Sequence, residues 1–398
     1  MKKHSPHITT PSITAPSARD ESLRQSFSRR SFLRTAATAT AAAALGTPLI
    51  SRAAAAGAWP PPDKAPAGAN DGAAQSGQAF IWGALLHMGT NMWSDIPVSS
   101  WGRHKGEEAA HVCKADHLRF DEDVWQALTA RMKTAGMNMV VIDLGEALQY
   151  ESHPELAVKG SWTIERFRKE LARLRAMGLE PIPKLNFSTA HDTWLNEYER
   201  QVSTPVYYAV CADLIREVCA IFDKPRFFHL GYDEETAKDQ AKYSMAIVRQ
   251  GELWWHDFLF FVRQVESQGV RPWIWSDYYW DHPEEFLKRM PGSVLQSNWY
   301  YRAEFDPQKL KLEKTGRNLV RVNTYVDLDK AGFDQLPTGS NWDNDLNFEG
   351  TVEFCRKNLS AERLKGFLMA SWAFTQPRWL QKNMEAIKQV ETMINRPR

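Results

Sequence analysis

Short apolar segments alternate with longer amphipathic segments along most of this chain, and this alternation constrains its fold more than any other feature. Short apolar runs predict eight strands, at 80–86, 138–144, 180–186, 226–231, 270–276, 293–299, 319–325 and 365–372. A 3.6-residue apolar period predicts helices between them, at 120–136, 163–178, 202–222, 254–269, 283–290, 307–316, 351–359 and 377–394. Near-continuous apolar strands followed by helices predict an α/β protein whose eight units close into a TIM-type (β/α)8 barrel.

A doubly wound open sheet is the alternative fold for such an alternation. That fold usually places a glycine-rich phosphate loop after its first strand, where Ala84-Leu85-Leu86-His87 stand in this chain. We therefore predict a barrel, as a single domain over residues 79–398.

The net charge of +1 combines two unlike parts. The first 56 residues hold eight basic and two acidic residues, so the remaining 342 must carry −5 for the whole chain to reach +1. An acidic balance argues against a broadly basic surface on the folded part, and we expect no nucleic-acid partner.

The basic N-terminal part resembles a twin-arginine export signal. Arg29 and Arg30 precede an apolar run at 36–50 and small residues at 53–56, the order of such a signal. The run has about 15 residues, fewer than the ~20 that span a bilayer, which disfavours a retained anchor. We predict a signal over residues 1–56 that engages the Tat translocase, a flexible Ala/Gly/Pro-rich lead-in over 57–78, and a periplasmic or secreted mature protein without an integral membrane segment.

The four cysteines, Cys113, Cys211, Cys219 and Cys355, are too few for a dense disulfide framework. Cys211 and Cys219 lie eight residues apart in one predicted helix, about 12 Å along its axis, so they cannot bond to each other. We expect buried free thiols. No Cys/His spacing resembles a zinc site, and we expect neither a metal nor a cofactor.

Polar and aromatic residues collect where the predicted strands end, which is where a barrel of this type places its active site. In strand order they are His87; Asp143 and Glu146; Lys184, Asn186 and His191; His229, Asp233 and Glu234; Trp275 and Asp277; Trp299; Tyr325 and Asp327; and Trp372. Sugar rings stack on indoles, their hydroxyls need charged acceptors, and glycosidic bonds are cleaved with carboxylic acids. We therefore expect a glycan substrate.

Asp233 and Glu234 are adjacent after the fourth strand. Two neighbouring carboxylates repel when both are ionised, so one pKa is expected to rise, which suits a general acid near neutral pH. Sequence neighbours are poorly placed to act as acid and nucleophile on opposite faces of one bond. A nucleophile supplied by the substrate resolves this difficulty.

Residues 229–234 read His-Leu-Gly-Tyr-Asp-Glu and resemble the His-x-Gly-Gly-Asp-Glu motif of family-twenty glycoside hydrolases, the β-N-acetylhexosaminidases. The resemblance implies that Glu234 is the acid/base and that Asp233 orients the substrate's 2-acetamido group. In that family the acetamide carbonyl oxygen attacks the anomeric carbon and forms an oxazolinium intermediate. The implied activity is retaining hydrolysis of β-linked N-acetylhexosamine (GlcNAc or GalNAc) residues.

Shorter similarities to the same family continue over residues 80–375. Residues 183–186 with His191 are similar to the family's third strand, 273–277 to its fifth, 295–299 to its sixth, 325–327 to its seventh, and Trp372 to the indole of its eighth. The resemblance implies that Tyr325 hydrogen-bonds the acetamide carbonyl. From the strand-end positions and the resemblance together, we predict substrate contacts from His87, Asp143, Asn186, His191, His229, Trp275, Asp277, Trp299, Asp327 and Trp372.

The chain differs from the family mainly at residues that, in the family, bind the hydroxyls of the non-reducing sugar. Tyr232 replaces a motif glycine, Lys184 and Asn186 replace two acidic residues, and His87 stands nearest to where the family has an arginine. The resemblance thus bears on the reaction class more than on the sugar or on exo action. Of the neighbouring residues, we expect Lys184 to pair with a rim acid and Glu235 to be a solvated residue in a helical first turn.

Three other functions remain open. A conventional retaining hydrolase would use Glu234 as acid and Asp277, or Glu146, as nucleophile. A metal-dependent hydrolase would use His87, His191, His229 and Asp277, although the first strand lacks the His-x-His of amidohydrolases. A non-catalytic glycan-binding barrel is the third.

Overall fold

The structure is a computed structural model that describes residues 79–101, 104–106, 109, 111–241 and 243–396. The predicted export signal and lead-in lie outside the described residues. Within the described part, no helix combines the length and the apolar character that a membrane crossing requires.

Eight parallel strands form the barrel, which confirms the predicted fold. They are β1 (Ile81–His87), β2 (Met139–Asp143), β3 (Glu180–Lys184), β4 (Phe227–His229), β5 (Arg271–Trp275), β6 (Leu295–Ser297), β7 (Thr338–Gly339) and β8 (Gly366–Ala370). Their order is β6-β5-β4-β3-β2-β1-β8-β7. The N–H of Gln296 donates to the Asp334 carbonyl at 3.0 Å, and the N–H of Thr338 donates to the Asn298 carbonyl at 3.0 Å. These bonds bring β6 beside β7, so the ring of strands is nearly closed.

Helices follow the strands around the barrel. Those described are α1 (Glu122–Thr134), α2 (Ile164–Ala176), α3 (Pro205–Ile221), α4 (Glu252–Ser267), α5 (Pro283–Arg289), α6 (Pro307–Leu310), α7 (Arg317–Lys330), α8 (Asn347–Asn358) and α9 (Leu380–Asn395). Side-chain caps explain where some of them begin: Asp121 accepts from the N–H of Val124 at 2.9 Å, and Thr163 accepts from that of Arg166 at 3.3 Å. A two-stranded hairpin, Ser100–Trp101 with His104–Lys105, lies between β1 and α1.

The seventh predicted strand is wrong, because residues 319–325 lie within α7. The β-branched residues of this segment favour a strand by propensity, but its buried positions, Val322, Tyr325 and Leu328, repeat every three residues along one helix face. The observed β7 has two residues and follows Pro337, so it carries no apolar run that could reveal it.

The thiols of Cys211, Cys219 and Cys355 are buried and free, as the sequence predicts, whereas Cys113 is only partly buried. Cys211 and Cys219 both lie on α3, which keeps them apart. Burial raises the pKa of each of the three thiols, so they act as small core residues without nucleophilic character.

Candidate active site

The chain turns sharply after β4 and again after β8. Tyr232, Glu234 and Trp372 all adopt left-handed backbone conformations, with φ of +74°, +58° and +55°. Each such non-glycine residue costs roughly 1–3 kcal/mol, and such strain concentrates at functional sites. The two turns lie at the carboxyl ends of their strands, where a barrel carries its chemistry.

Asn186, just after β3, fixes the position of Asp233. Its Nδ2 donates to Asp233 Oδ1 at 2.9 Å, while its Oδ1 accepts the N–H of Ser188 at 3.0 Å and that of Tyr232 at 3.2 Å. Gly231 makes room for this amide, because a Cβ there would lie 2.0 Å from Asn186 Oδ1. A buried amide with donor and acceptor both engaged has one orientation, so Asp233 is held in a single place.

His191 lies against both carboxylates. Its Nε2 is 3.4 Å from Asp233 Oδ2 and 3.3 Å from Glu234 Oε2. The Asp233 side chain is 10% exposed and that of Glu234 is 37% exposed, so Glu234 reaches solvent or a ligand more readily. Burial raises the pKa of Asp233, and the Glu234 charge adds to the rise while His191 opposes it.

Asp277, just after β5, supports Glu234 from the other side. Its Oδ2 accepts the backbone N–H of Glu234 at 2.9 Å, and its Oδ1 lies 3.4 Å from Nε1 of Trp299. Burial, followed by the charge of Asp233, raises the pKa of Asp277 to about 8. Asp277 is therefore mostly protonated at neutral pH, which limits the negative charge gathered beside Asp233 and Glu234.

A buried ion pair lies deeper in the barrel. Lys184 Nζ is 2.6 Å from Asp143 Oδ2, and His87 Nδ1 is 3.4 Å from the same oxygen. Burial opposes ionisation of Asp143, but the charge of Lys184 and the neighbouring His87 outweigh it and lower the pKa of Asp143. The predicted pairing of Lys184 with a rim acid is confirmed. The predicted substrate residues His87 and Asp143 are thus 1% exposed and engaged with each other.

His229 shapes the turn after β4. Its Nδ1 accepts the N–H of Gly231 at 3.0 Å, and its ring packs between Trp273 and Trp275, with centroid distances of 4.7 and 4.3 Å. Burial, with the Lys184 charge, lowers the pKa of His229 well below its usual value. The imidazole is therefore neutral, and its bond to Gly231 fixes the backbone two residues before Asp233.

The carboxylates open into a cavity of about 310 Å³, here named the tryptophan cavity. Its lining consists of Met92, Trp93, Asn186, His191, Asp233, Glu234, Trp275, Trp299, Tyr301, Arg321, Trp342, Asp343 and Trp372. Five indoles and a phenol thus surround His191, Asp233 and Glu234, whose side chains are of types that can transfer protons. The cavity brings together seven of the residues predicted from the sequence as catalytic or substrate-binding: Asn186, His191, Asp233, Glu234, Trp275, Trp299 and Trp372.

A second cavity of about 680 Å³, the adjacent cavity, lies next to it. Its lining includes Glu234, Arg249, Asp277, Tyr278 and His282. Within the described residues, Glu234 is the residue that lines both cavities. A proton held by Glu234 can therefore reach an atom at the junction of the two.

Two predicted site residues lie elsewhere, because the segment that carries them is helical. Tyr325 is fully buried on α7, packs against Phe354 at a centroid distance of 6.2 Å, and does not line the tryptophan cavity. Asp327 accepts from the Tyr279 hydroxyl at 3.1 Å and lines a different surface groove. The predictions that they stand at the end of a seventh strand are wrong.

Glu235 is also corrected: its side chain is 4% exposed and pairs with the equally buried Arg249. Arg249 in turn lies 3.2 Å from Asp257 on α4 and donates to the carbonyl of Phe187 at 2.8 Å. The pair ties the loop after β4 to the loop after β3, so Glu235 anchors the site and is not a solvated helical residue.

The sequence did not predict several residues of the cavity wall: Met92, Tyr301, Arg321, Trp342 and Asp343. Trp342 and Asp343 follow the short β7 that the pattern missed, and Arg321 belongs to the segment mistaken for a strand. Tyr301 follows Trp299 by two residues and stacks on it at 5.0 Å, a signal that the sixth strand's end could have given.

His191, Asp233 and Glu234 could also hold a cation, since one ligand atom of each lies within 4.8 Å of the others. The set proposed for a metal-dependent hydrolase, His87, His191, His229 and Asp277, forms no such group in the described part of the chain.

No protein-family model matches the sequence, and no curated protein sequence matches it significantly. Solved structures match it in fold. A substituted Streptomyces plicatus β-hexosaminidase in complex with product GlcNAc is 12% identical, with a TM-score of 0.51 over 78% of this chain and 64% of that chain. The Streptomyces plicatus N-acetyl-β-hexosaminidase in complex with Thio-NAglucal gives a TM-score of 0.50 at the same identity and coverage.

A β-N-acetylhexosaminidase from Bacteroides fragilis is likewise 12% identical, with a TM-score of 0.49 over 78% of this chain and 65% of that chain. This chain thus spans about 64–65% of the length of these proteins. Identity at this level speaks to architecture, and the two Streptomyces structures show that this chain shares their (β/α)8 barrel fold.

Proposed function

We propose that this protein is a glycoside hydrolase that cleaves β-linked N-acetylhexosamine, GlcNAc or GalNAc, from glycans with retention of configuration and with help from the substrate's acetamide. The observation that carries the proposal is the position of Glu234, which lines both cavities while Asn186 holds Asp233 in the tryptophan cavity. A sugar ring in one cavity and its leaving group in the other would bring the glycosidic oxygen to Glu234. The shared barrel with a hexosaminidase that holds GlcNAc supports this choice of sugar.

In the first step Glu234 donates its proton to the glycosidic oxygen as the bond from that oxygen to the anomeric carbon breaks. The acetamide carbonyl oxygen forms the new bond to the anomeric carbon, giving an oxazolinium. Asp233 accepts the acetamide N–H, which holds the carbonyl in line and stabilises the positive charge that develops. In the second step Glu234, now ionised, takes a proton from water as the water oxygen bonds to the anomeric carbon. The bond from that carbon to the acetamide oxygen breaks, which opens the oxazolinium ring and restores the acetamide.

The walls of the tryptophan cavity suit one sugar ring. Trp275 and Trp372 lie 5.9 Å apart by centroid, and Trp299 stacks on Tyr301, so flat apolar faces are available on more than one side. A volume of about 310 Å³ lies at the lower end of the range for ligand pockets, roughly 300–1,000 Å³. The cavity therefore fits a monosaccharide unit, with the rest of the glycan in the adjacent cavity.

The conventional retaining mechanism fits less well, because its nucleophile would be Asp277. Both oxygens of Asp277 face donors, the N–H of Glu234 and the indole of Trp299. Its pKa of about 8 leaves it mostly protonated at neutral pH, and a protonated carboxyl is a poor nucleophile. Asp277 also lines the adjacent cavity and not the tryptophan cavity.

We also propose that residues 1–56 direct export through the Tat translocase, so that the hydrolase acts in the periplasm or outside the cell. The arginine pair and the order of the segments around it support this. Replacing Arg29 and Arg30 by lysine in the full chain is expected to retain the protein in the cytoplasm. Export unaffected by that double substitution would contradict the proposal.

The test of the activity is a panel of aryl β-glycosides with and without a 2-acetamido group, assayed on the wild type, Glu234→Gln and Glu266→Gln. Glu266 is an exposed carboxylate near the end of α4 and serves as the matched control. We expect the wild type and the control to cleave the acetamido substrates, and Glu234→Gln to lose about 10²–10⁴-fold in rate on substrates that need protonation. Binding of the panel without turnover by the wild type would instead indicate a glycan-binding barrel.

A further inference from the structure

Arg321 stands in the wall of the tryptophan cavity with its charge uncompensated at close range. It lies on α7, and its guanidinium carbon is 4.3 Å from the ring centroid of Trp280 and 5.3 Å from that of Trp299. The side chain is half-buried, and its Nε is buried without a hydrogen-bond acceptor. Stacking on two indoles fixes the orientation of the planar guanidinium but provides no hydrogen-bond acceptors for its N–H groups.

No carboxylate among the described residues lies within 4.0 Å of this guanidinium, the distance that defines an ion pair. Burial and the charge of Arg317 lower the pKa of Arg321, the charges of Asp277 and Glu234 oppose this from beyond ion-pair distance, and Arg302 lowers it further. Arg317 is paired with Asp281 at 3.2 Å. A partly buried charge without a counter-ion is costly, and proteins keep such groups mostly where a ligand completes them.

The chemistry of the guanidinium points to the missing partner. A planar fork of N–H donors matches two oxygens of a sulfate or a carboxylate, and such charge-assisted pairs are about twice as strong as neutral hydrogen bonds. A neutral hydroxyl could accept one of these donors but would leave the charge uncompensated. The tryptophan cavity is also lined by Asp233, Glu234 and Asp343, so an anionic substituent would be stable there only in direct contact with Arg321.

We propose that the tryptophan cavity selects a sugar that carries an oxyanion substituent, a sulfate ester or a carboxylate, and that Arg321 binds it. The proposal rests on the proposed function in taking this cavity as the site of the sugar ring. It adds a substrate class, anionic N-acetylhexosamine, and a residue that determines specificity.

The test is calorimetric binding of monosaccharides, which need no turnover, to the wild type at low salt. The probes are GlcNAc, its 3-, 4- and 6-O-sulfates, and N-acetylmuramic acid, whose 3-O-lactyl group supplies a carboxylate. At least one anionic sugar is expected to bind at least about tenfold more tightly than GlcNAc, with an advantage that shrinks as salt rises. Preference for one of the sulfates would identify a sulfated sugar and the position of its ester, whereas preference for N-acetylmuramic acid would identify a carboxylated sugar.

Variants then assign the effect to Arg321. In Arg321→Gln the ratio of anionic-sugar affinity to neutral-sugar affinity is expected to fall to about one. Arg321→Lys keeps the positive charge but loses the planar, bidentate arrangement of donors, so it should retain an intermediate ratio. Arg216→Gln is the matched control, since it removes an equal charge from an exposed residue on α3. An equal ratio in Arg321→Gln and the wild type would overturn the assignment.

The outcomes separate this inference from the proposed function. If the wild type hydrolyses a neutral acetamido substrate and binds anionic and neutral sugars equally well, the proposed function is supported and the anion site is refuted. A high ratio without hydrolysis of any substrate would retain the anion site and make the barrel a binding protein. Failure of GlcNAc and of every anionic sugar to bind would overturn the inference.

Discussion

Asp277 accepts the backbone N–H of Glu234 at 2.9 Å, so the carboxyl at the end of β5 holds the residue that we propose as the acid/base after β4. Glu234 has a left-handed backbone, and this bond helps to keep it there. The pKa of Asp277 is raised to about 8 by burial and by the charge of Asp233. The bond therefore links the geometry of Glu234 to the protonation state of its neighbour.

The raised pKa predicts how stability depends on pH. Native Asp277 keeps its proton up to about pH 8, while the unfolded chain loses it near the usual value of 3.8, so folding takes up a proton between those limits. Stability should fall as pH rises from about 4 to about 8. Asp277→Asn cannot ionise, so its free energy of unfolding should fall less than that of the wild type between pH 5 and 8, by at least about 2 kcal/mol. Urea unfolding at several pH values measures this, with the exposed Asp345→Asn as control. Parallel pH profiles for Asp277→Asn and the wild type would contradict the assignment.

Gly231→Ala tests the fit between the turn after β4 and Asn186. A Cβ at Gly231 meets Asn186 Oδ1 at 2.0 Å and faces a φ of +71°. Gly178→Ala is a matched control, because its φ is +82° but no heavy atom lies within 4 Å of the new Cβ. Both variants should lose about 1–2 kcal/mol from backbone strain, and Gly231→Ala should lose at least about 2 kcal/mol more. Its turnover should fall too, because displacement of Asn186 releases Asp233. Similar losses in the two variants would show that the amide is not confined.

The buried pair of Lys184 and Asp143 gives a prediction by double substitution. Lys184→Met leaves the Asp143 carboxylate in the barrel interior without its cation, a change that typically costs 3–5 kcal/mol. Adding Asp143→Leu removes the stranded charge, so the double variant should be more stable than Lys184→Met alone. Thermal or urea unfolding of both variants measures the difference. A double variant less stable than the single one would mean that Asp143 is stabilised by groups other than Lys184.

The repeating architecture of the barrel was predictable because seven of its eight strands lie in short, mainly apolar segments, of which β1 and β2 are the clearest. The exception, β7, has two residues and is held by backbone bonds to β6 and β8, a tertiary effect that leaves no local pattern. The opposite error arose at α7, whose valines favour a strand locally but whose burial repeats along a helix. Tyr325 and Asp327 were misplaced for that reason alone.

The site was predictable where it follows a correctly predicted strand. Asn186, Asp233 and Trp275 all lie where the sequence put them, since parallel strands bring their carboxyl ends to one rim. The burial of His87 and Asp143 was not predictable, because it depends on the ion pair with Lys184 across three strands. Arg321 was missed because its role depends on which residues are absent around it, which a sequence does not display.

The most direct measurement of the central claim, that the acetamide is the nucleophile, is kcat/KM for aryl glycosides of GlcNAc, N-fluoroacetyl-, N-difluoroacetyl- and N-trifluoroacetyl-glucosamine. Fluorine withdraws electrons from the carbonyl oxygen and weakens it as a nucleophile, and the leaving group stays the same. If the acetamide attacks the anomeric carbon, kcat/KM falls steadily with each fluorine, by roughly tenfold or more per step, since a 1.4 kcal/mol higher barrier is a tenfold slower reaction. A kcat/KM that is unchanged across the series would contradict the account and assign the attack to a carboxylate of the protein.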